Sequence, residues 1–272
     1  MARLKKKKDP EGRMPLVEHI RELRSRILWS LLGILIGTVV AWIFYDPIFT
    51  FMAQPLADLR EQGRQAELNF ETISAAFDLK LRITMFAGFI LASPWWLYQT
   101  WAYLAPALHR KEKAYVLIFT FAGIVLFAIG VGMGLLIMPH AVQVLTSFAP
   151  SQSEMLMKAN LYFSFYMRLV IVFGISMLVP LAMVGLNQLN ILRATTMMKT
   201  WRWAVAVAFI FAAIANPLPD PWTMTFQALF LVALYFLAIG VCFLHDKRWD
   251  RKQARIEAEL DAALATHEDD AS

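Results

Sequence analysis

The residue types best suited to catalysis or metal binding are few in this sequence and lie far apart. The one cysteine, Cys242, cannot form an internal disulfide, and no Cys/His cluster has the spacing of a zinc site. No Gly-x-Ser-x-Gly or His-Glu-x-x-His motif is present. We therefore expect no enzyme activity, no cofactor and no metal. The histidines fall at or beyond the ends of the apolar segments described below, at His19, His109, His140, His245 and His267.

Two glutamates stand out because basic residues surround them. Glu22 lies four residues before Arg26, and Glu112 lies between Lys111 and Lys113. Taken alone, Glu22 is a helical partner for Arg26, a contact that contributes about 0.2–0.5 kcal/mol. Glu112, taken alone, is a solvated loop charge. What either glutamate does therefore depends on the elements that hold it.

The composition is that of an integral membrane protein. The chain has 272 residues, is 58% hydrophobic and only 17% charged, and has a mean hydropathy of +0.51. Soluble domains are about 45–50% apolar and about 25% charged. The apolar residues also form long blocks instead of recurring at the spacing of a globular core. Both features favour helices that cross a membrane.

Six of these blocks are candidate transmembrane helices, since about 20 apolar residues in a helix cross the hydrocarbon core. The fifth block qualifies only if the Arg202 side chain extends to the interface. Three prolines between Asn216 and Pro221 interrupt the helix and join the last two spans as a short hairpin. We predict an all-α membrane protein whose fifth and sixth spans are short, with spans at about 27–44, 83–104, 115–138, 165–186, 200–214 and 224–244.

The distribution of basic residues predicts the orientation. If successive spans alternate in direction, 20 of the 26 lysines and arginines lie on one side together with both termini, and six lie on the other. Positive charge concentrates on the cytoplasmic side, so both termini are expected in the cytoplasm. This gives a basic tail at 1–14, a six-span membrane domain at 15–244 and a charged tail at 245–272. The charged tail is expected to continue the sixth helix for several turns.

The basic N-terminal segment has two other interpretations. A secretory signal is excluded because the block at 27–44 is too long and no small-x-small cleavage pattern follows it, so we expect an uncleaved anchor. The run Lys5–Lys8 could bind nucleic acid, but its position before a span favours anionic membrane lipid or topology marking. We expect contact with membrane lipid and no nucleic-acid partner.

The segment just before the first span predicts an amphipathic helix. Leu16, Ile20, Leu23 and Ile27 recur at helical spacing, and Pro15 suits the first helical position. We expect this helix to lie along the inner interface of the membrane and to run into the first span.

An ordered series of motifs extends over nearly all of the chain outside its tails. In chain order they are His-Ile-Arg-Glu-Leu-Arg-Ser-Arg at 19–26, Ala-Gln-Pro-Leu at 53–56, Ser-Pro-Trp-Trp-Leu-Tyr-Gln-Thr-Trp-Ala-Tyr-Leu-Ala-Pro-Ala-Leu at 93–108, His-Arg-Lys-Glu-Lys at 109–113, Phe-Gly-Ile-Ser at 173–176, Val-Pro at 179–180, Asn-Pro at 216–217 and Asp-Pro-Trp-Thr-Met at 220–224. Each motif is short. The ordered set, on this topology, resembles the TatC family, the polytopic subunit of the twin-arginine (Sec-independent) protein translocase.

The resemblance implies a function. A member of this family binds signal peptides with paired arginines and nucleates the complex that exports folded proteins with the proton gradient. The family's two recognition glutamates fall on Glu22 and Glu112 of this sequence. A guanidinium presents a planar fork of donors that a carboxylate accepts through two hydrogen bonds, so two arginines suit two carboxylates. With the resemblance, recognition replaces simple surface charge as our interpretation of both residues.

Five further positions correspond to positions that the family uses. Arg24, His19 and Tyr103 are expected to contribute to signal-peptide binding. Pro55 and Asp220 match positions in the first and last external loops of the family. Alternatively, Pro55 forms an ordinary turn and Asp220 caps the helix that follows it.

The resemblance also implies a shape, a location and partners. The external loops of the family form the wall of a concave, cup-like bundle, and we expect short interfacial helices between Tyr45 and Lys80. The implied location is the bacterial plasma (inner) membrane, as a multi-pass protein. The implied partners are single-span subunits of the TatA/TatB type, further copies of the same chain and membrane lipid.

The sequence departs from the family pattern at three positions. Leu178 lies where the fourth span of the family typically has a glutamate, and Phe236 lies where an acidic residue often follows a tyrosine in the sixth span. Tyr103 replaces a common phenylalanine but keeps the ring. Carboxylates within a membrane usually mark function because burying them is costly. Any polar contact that these two carboxylates serve in the family is therefore in doubt here.

Two other functional classes fit six spans. A secondary transporter of a small solute often has internal repeats and helices broken at mid-membrane. We find no convincing repeat between the two halves, and the spans contain few charges that could bind an ion. An intramembrane enzyme would need a nucleophile and base, or metal ligands, within its spans. The binding of a twin-arginine peptide compared with its twin-lysine version discriminates among all three classes.

Overall fold

The computed structural model describes residues 16–61, 66–104, 113–147, 155–188, 191–215 and 221–271. This part of the chain forms ten α-helices and two four-residue β-strands, so the all-α prediction is confirmed apart from one small strand pair. The elements in chain order are α1 Leu16–Ile43, α2 Tyr45–Glu61, β1 Ala66–Asn69, α3 Ala75–Leu91, α4 Ser93–Leu104, α5 Lys113–Ser147, β2 Met155–Lys158, α6 Ala159–Ser176, α7 Leu178–Gln188, α8 Ala194–Lys199, α9 Trp201–Ala215 and α10 Pro221–Ala271.

Long apolar helices make this a membrane protein. The first of them exposes large apolar side chains, including Leu35 (61%), Ile36 (59%) and Val39 (58%). In water this stripe would be a large exposed apolar patch. In a membrane it contacts lipid tails, which are as apolar as the side chains themselves. In the described part of the chain, four segments are long and apolar enough to cross a membrane: Val17–Ile43, Val116–Ser147, Ala159–Gln188 and Met224–Glu259.

The helices that hold the first and third predicted spans are longer than those spans. α1 joins the predicted amphipathic segment and the block at 27–44 in one continuous helix of 28 residues. α5 has 35 residues and extends beyond the predicted 115–138, with Pro139 inside it. The apolar blocks mark only the stretch suited to lipid, whereas the helix extends into the flanking residues as long as their backbone N–H and C=O groups continue the helical hydrogen bonds.

The second predicted span, 83–104, consists of two helices. α3 begins at Ala75, earlier than predicted, and α3 and α4 meet at Ala92. Pro94 follows this junction by two residues. Proline has no N–H and its ring clashes with the carbonyl oxygen four residues earlier, so the helix breaks before the proline itself.

The fourth predicted span, 165–186, also consists of two helices. α6 begins at Ala159, and α6 and α7 meet at Met177. Pro180 lies three residues after this junction and disrupts the helix by the same mechanism as Pro94.

The last two helices differ in length. α9 has 15 residues, which confirms a short fifth helix. α10 has 51 residues, so the helix of the sixth span is not short. It continues through the charged tail because that sequence is rich in alanine, glutamate, lysine and arginine, all of which favour helix. The tail extends the helix further than the several turns predicted.

The predicted external segment 45–80 contains α2, β1 and the start of α3. The helix was predicted and the strand was not. β1 pairs in parallel with β2, with Ala66 opposite Met155. At the end of β2, the Lys158 ammonium lies 2.6 Å from a carboxylate oxygen of Glu71. Two segments far apart in the sequence are therefore joined.

The described chain divides into two compact units. The first contains α1 to α6, and the second contains α8 together with most of α7, α9 and α10. The core of the first unit surrounds Phe127, Phe163 and Phe173, which are 1% exposed or less.

Glycines allow α1 and α3 to come into backbone contact. A Cβ at Gly37 would lie 2.6 Å from the backbone oxygen of Gly88, and a Cβ at Gly88 would lie 2.5 Å from the backbone nitrogen of Thr38. Small residues permit such close packing between membrane helices. This contact fixes α1, which carries most of the candidate site.

A carboxylate organises the second unit. Asp246 on α10 accepts hydrogen bonds from the backbone N–H of Ala194 at 2.8 Å and from the Asn187 amide at 2.9 Å. The Tyr235 hydroxyl, also on α10, donates to the backbone oxygen of Met197 at 2.7 Å. Together these bonds attach α7 and the short helix α8 to the last helix.

Candidate functional site

Two predicted site residues, His19 and Glu22, lie with Arg26 on one face of α1, toward α4. His19, Glu22 and Arg26 are spaced by three and four residues, which places them on the same side of a helix. The His19 ring stacks on Tyr103, with ring centroids 4.6 Å apart and planes inclined by 21°. His19 Nε2 and the Tyr103 hydroxyl also share a hydrogen bond of 2.8 Å. This pair joins the beginning of α1 to the end of α4.

The Glu22 carboxylate is partly buried and already has a partner. Arg26 Nη2 donates to Glu22 Oε1 at 3.2 Å, and the two side chains are only 29% and 23% exposed. This contact confirms the helical pairing of Glu22 with Arg26 that their spacing in the sequence indicates. Partial burial makes the carboxylate a stronger acceptor than a fully solvated one, since water screens it less.

Arg26 also contacts α4. Its Nη1 donates to Gln99 Oε1 at 2.9 Å, and Gln99 is only 6% exposed. One guanidinium therefore bridges a carboxylate on its own helix and an amide on the neighbouring helix. The planar fork of donors on arginine allows this, because its nitrogens point in different directions.

These residues line a cavity between α1 and α4. The cavity has a volume of about 580 Å³ and carries acidic and basic side chains together with two indole rings. Such a lining can accept a cationic group and pack against the apolar part of the same ligand. The lining residues are Glu18, Arg21, Glu22, Ser25, Arg26, Trp29, Trp95 and Gln99.

An apolar groove continues from this cavity along α1. It has a volume of about 500 Å³ and shares Trp29 and Trp95 with the cavity. Leu32, Ile36 and Val40 line it at intervals of one helical turn. The cavity and the groove form one continuous surface, polar at the cavity and apolar along the groove. This surface suits an amphipathic ligand.

The remaining predicted site residues are dispersed. Arg24 is exposed, and as it lies two residues from both Glu22 and Arg26 it points away from their face. Pro55 is buried inside α2, so it does not form an ordinary turn. Glu112 and Asp220 lie outside the described residues.

The two positions where the family pattern has acidic residues are surrounded by apolar groups. Leu178 packs against the hydrophobic core of the first unit. The Phe236 ring lies 6.4 Å from the Trp201 ring and 5.6 Å from the Tyr235 ring. These neighbours suit the apolar residues that the sequence has there.

Gln99 and Trp95 belong to the site, but the sequence did not single them out. The available signal was the polar patch from Tyr98 to Thr100 within an otherwise apolar span. A buried amide requires a hydrogen-bond partner, but the spacing of residues along one helix could not show that this partner was Arg26 on another helix. Trp95 had no such signal, because a tryptophan in a membrane helix is ordinary.

Comparison with known proteins identifies the family. The family model for the Sec-independent protein translocase protein TatC matches residues 18–229. The TatC protein of Xylanimonas cellulosilytica is 41% identical over 243 residues, which cover 89% of this chain and 88% of that protein. The TatC protein of Rothia mucilaginosa is 36% identical over 270 residues, covering 97% of this chain and 92% of that protein.

Solved structures agree with the sequence comparison. A crystal structure of the twin arginine translocase receptor TatC in DDM superposes with a TM-score of 0.70 at 27% identity, covering 82% of this chain and 99% of that one. A second crystal structure of the same receptor gives a TM-score of 0.69 at 28% identity. Helices, motifs and relatives thus agree, and the chain belongs to the TatC family of Sec-independent protein translocase proteins.

Proposed function

We propose that this chain is the signal-recognising membrane subunit of a twin-arginine translocase, and that the cavity between α1 and α4 binds one arginine of the signal peptide through Glu22. The observation that carries the proposal is the partly buried Glu22 carboxylate, which lies in a cavity of about 580 Å³ beside Trp29 and Trp95. The chain carries no catalytic role in this proposal.

The chemistry of the cavity supports an arginine ligand. A carboxylate accepts two parallel hydrogen bonds from a guanidinium, and such charge-assisted bonds are about twice as strong as neutral ones. The indole rings add a further attraction, since a guanidinium packs favourably over an aromatic face. A lysine ammonium keeps the charge but lacks the fork and the plane.

The second arginine is assigned to Glu112. This assignment rests on the family motif His-Arg-Lys-Glu-Lys at 109–113 and on the chemical match of two carboxylates to two guanidinium groups. His19, Tyr103 and Arg24 are proposed to contribute around the same peptide. Pro55 and Asp220 are proposed to act in the external loops.

The wider arrangement follows the sequence prediction. We propose six spans with both termini in the cytoplasm of a bacterium, so that the cavity opens toward the signal peptide before export. Subunits of the TatA/TatB type and further copies of this chain complete the complex, which exports folded proteins with the proton gradient. The strong bias of basic residues to one side supports this orientation.

The test is the binding of a synthetic signal peptide with adjacent arginines to the purified protein in lipid nanodiscs. Glu22→Ala and Glu112→Ala should each weaken binding by about 2–5 kcal/mol, with the lower end for a wet interface. Glu22→Gln should weaken it less, because the amide keeps one acceptor. Replacing both peptide arginines with lysine should weaken binding to the wild-type protein.

The matched control is Glu257→Ala, which removes an exposed glutamate from α10 and should leave binding unchanged. Each variant is also checked for membrane insertion and thermal stability. Equal binding of both peptides, unaffected by either site mutation, would contradict the proposed function.

A further inference from the structure

Arg26 already occupies the acceptor that a peptide arginine would need. Its Nη2 donates to Glu22 Oε1 at 3.2 Å, and its Nη1 donates to Gln99 Oε1 at 2.9 Å. A bidentate bond from a peptide guanidinium would use both oxygens of Glu22. Oε1 would then lie between two guanidinium groups whose like charges repel, so the contact with Arg26 opposes the binding of a peptide arginine.

We propose that Arg26 is an internal competitor for the Glu22 site and that Gln99 is the acceptor that retains Arg26 when a ligand displaces it. This inference rests on the proposed function, and it adds a residue that sets how tightly the site binds. In the free protein Arg26 bridges Glu22 and Gln99. In the bound protein the peptide arginine takes Glu22, and Arg26 keeps its bond to Gln99 alone.

The position of Gln99 suits it to this role. Arginine stays charged at any physiological pH, so a displaced Arg26 cannot lower its cost by losing a proton. A partly buried cation without a partner is strongly unfavourable. Gln99 is 6% exposed and lies on α4. Its amide oxygen can accept from the Arg26 guanidinium, and because the amide is neutral it does not attract the peptide cation away from Glu22.

The competition affects every cationic ligand to the same extent. The apparent dissociation constant equals the intrinsic constant divided by the fraction of molecules in which Glu22 is free. The same fraction applies to a twin-arginine and a twin-lysine peptide. Arg26 should therefore weaken both, while the ratio of their affinities stays constant.

The first experiment measures peptide binding to Arg26→Ala in nanodiscs. Removing the competitor should tighten binding of the twin-arginine peptide by about two- to tenfold. This range corresponds to the free energy of a charge pair that is between fully exposed and partly buried. Binding of the twin-lysine peptide should tighten by the same factor. Arg26→Gln, which keeps a donor for Gln99, serves as the second variant if the alanine variant fails to insert.

The matched control for charge is Arg21→Ala. Arg21 lines the same cavity, so its removal subtracts the same positive charge from around the ligand. Any gain from general electrostatics should appear in both variants and should shrink at high salt. Only the gain at Arg26 beyond that at Arg21 reports the release of Glu22.

The second experiment separates the role of Gln99 from direct contact with the peptide. Gln99→Leu should weaken peptide binding by about two- to fivefold in the wild-type background, because Arg26 then has Glu22 as its remaining acceptor in this pair. In the Arg26→Ala background the same change should have no effect on binding. A purely structural role of Gln99 would lower the thermal midpoint equally in both backgrounds and would not depend on Arg26.

Two results would overturn the inference while leaving the proposed function intact. One is a wild-type protein that prefers the twin-arginine peptide and depends on Glu22, together with an Arg26→Ala variant that binds no more tightly than Arg21→Ala. The other is a Gln99→Leu effect that persists without Arg26. A wild-type protein with no preference between the peptides would instead overturn the proposed function, and this inference with it.

Discussion

Trp95 on α4 donates its indole N–H to the backbone oxygen of Trp29 on α1 at 2.8 Å, and its ring occupies the place where Gly33 has no side chain. A Cβ on Gly33 would overlap the Trp95 ring. Both tryptophans line the polar cavity and the apolar groove. The shape of the candidate site therefore depends on a glycine.

Gly33→Ala should displace the Trp95 ring and destabilise the protein. The added methyl overpacks the contact between α1 and α4, and overpacking typically costs about 1–3 kcal/mol. The measurement is the midpoint of thermal unfolding in detergent. Gly132→Ala is the control, because apart from the neighbouring backbone of its own helix no atom lies within 4 Å of the Cβ that it would add. Equal midpoints for the two variants would contradict the role of Gly33.

Tyr103→Phe should reduce peptide binding less than Tyr103→Ala. The phenylalanine keeps the stacking with His19 and loses only the hydroxyl, whose hydrogen bond contributes about 0.5–1.5 kcal/mol. The alanine removes both contacts between α1 and the end of α4. The measurement is the affinity for the twin-arginine peptide. Similar losses in the two variants would show that the hydroxyl, and not the ring, is the important group.

Asp246→Ala should destabilise the protein without changing peptide affinity. It leaves the Ala194 N–H and the Asn187 amide without their carboxylate acceptor, which costs about 1–3 kcal/mol for a buried donor. Asp246→Asn should also destabilise, because the amide replaces one of two acceptor oxygens with a donor. Thermal unfolding measures the loss, and Asp250→Ala on the exposed surface of the same helix is the control. A midpoint like that of the control would contradict the importance of these bonds.

Cysteine labelling tests the proposed orientation. In a Cys242→Ala background, a cysteine at Glu61 should react with a membrane-impermeant maleimide added to intact cells, whereas a cysteine at Thr196 should not. Glu61 ends α2 in the predicted external segment, and Thr196 lies on α8 in the predicted cytoplasmic loop. Both should react after the membrane is permeabilised. Labelling of Thr196 in intact cells would require a different topology.

The apolar blocks predicted where helices occur, because burial of apolar residues in lipid dominates the sequence of a membrane protein. They did not show the junctions at Ala92 and Met177, since the effect of a proline on the preceding turn depends on local packing. The strand pair was also missed. β1 and β2 have four residues each, too few for an alternating pattern to be distinctive.

The candidate site was predicted on α1 more fully than on α4. Helical spacing alone paired Glu22 with Arg26, and the family resemblance supplied His19. The partners Tyr103 and Gln99 belong to another helix, and no local pattern reports a contact between helices. The family resemblance supplied Tyr103. Gln99 required coordinates, because its bond to Arg26 depends on the close approach of α1 to the helices beside it.

The pairing of β1 with β2 gives the protein a marker of completed assembly. Ala66 and Met155 come from segments that are synthesised well apart, with α3, α4 and α5 between them. Contacts between distant residues form late, since the chain between them has to be arranged first. The strands can therefore join only after the intervening helices have reached their places, and the ion pair of Glu71 with Lys158 then closes the same junction. A chain that stalls during insertion would lack this small sheet, and its two strands would offer unpaired edges to quality-control proteases.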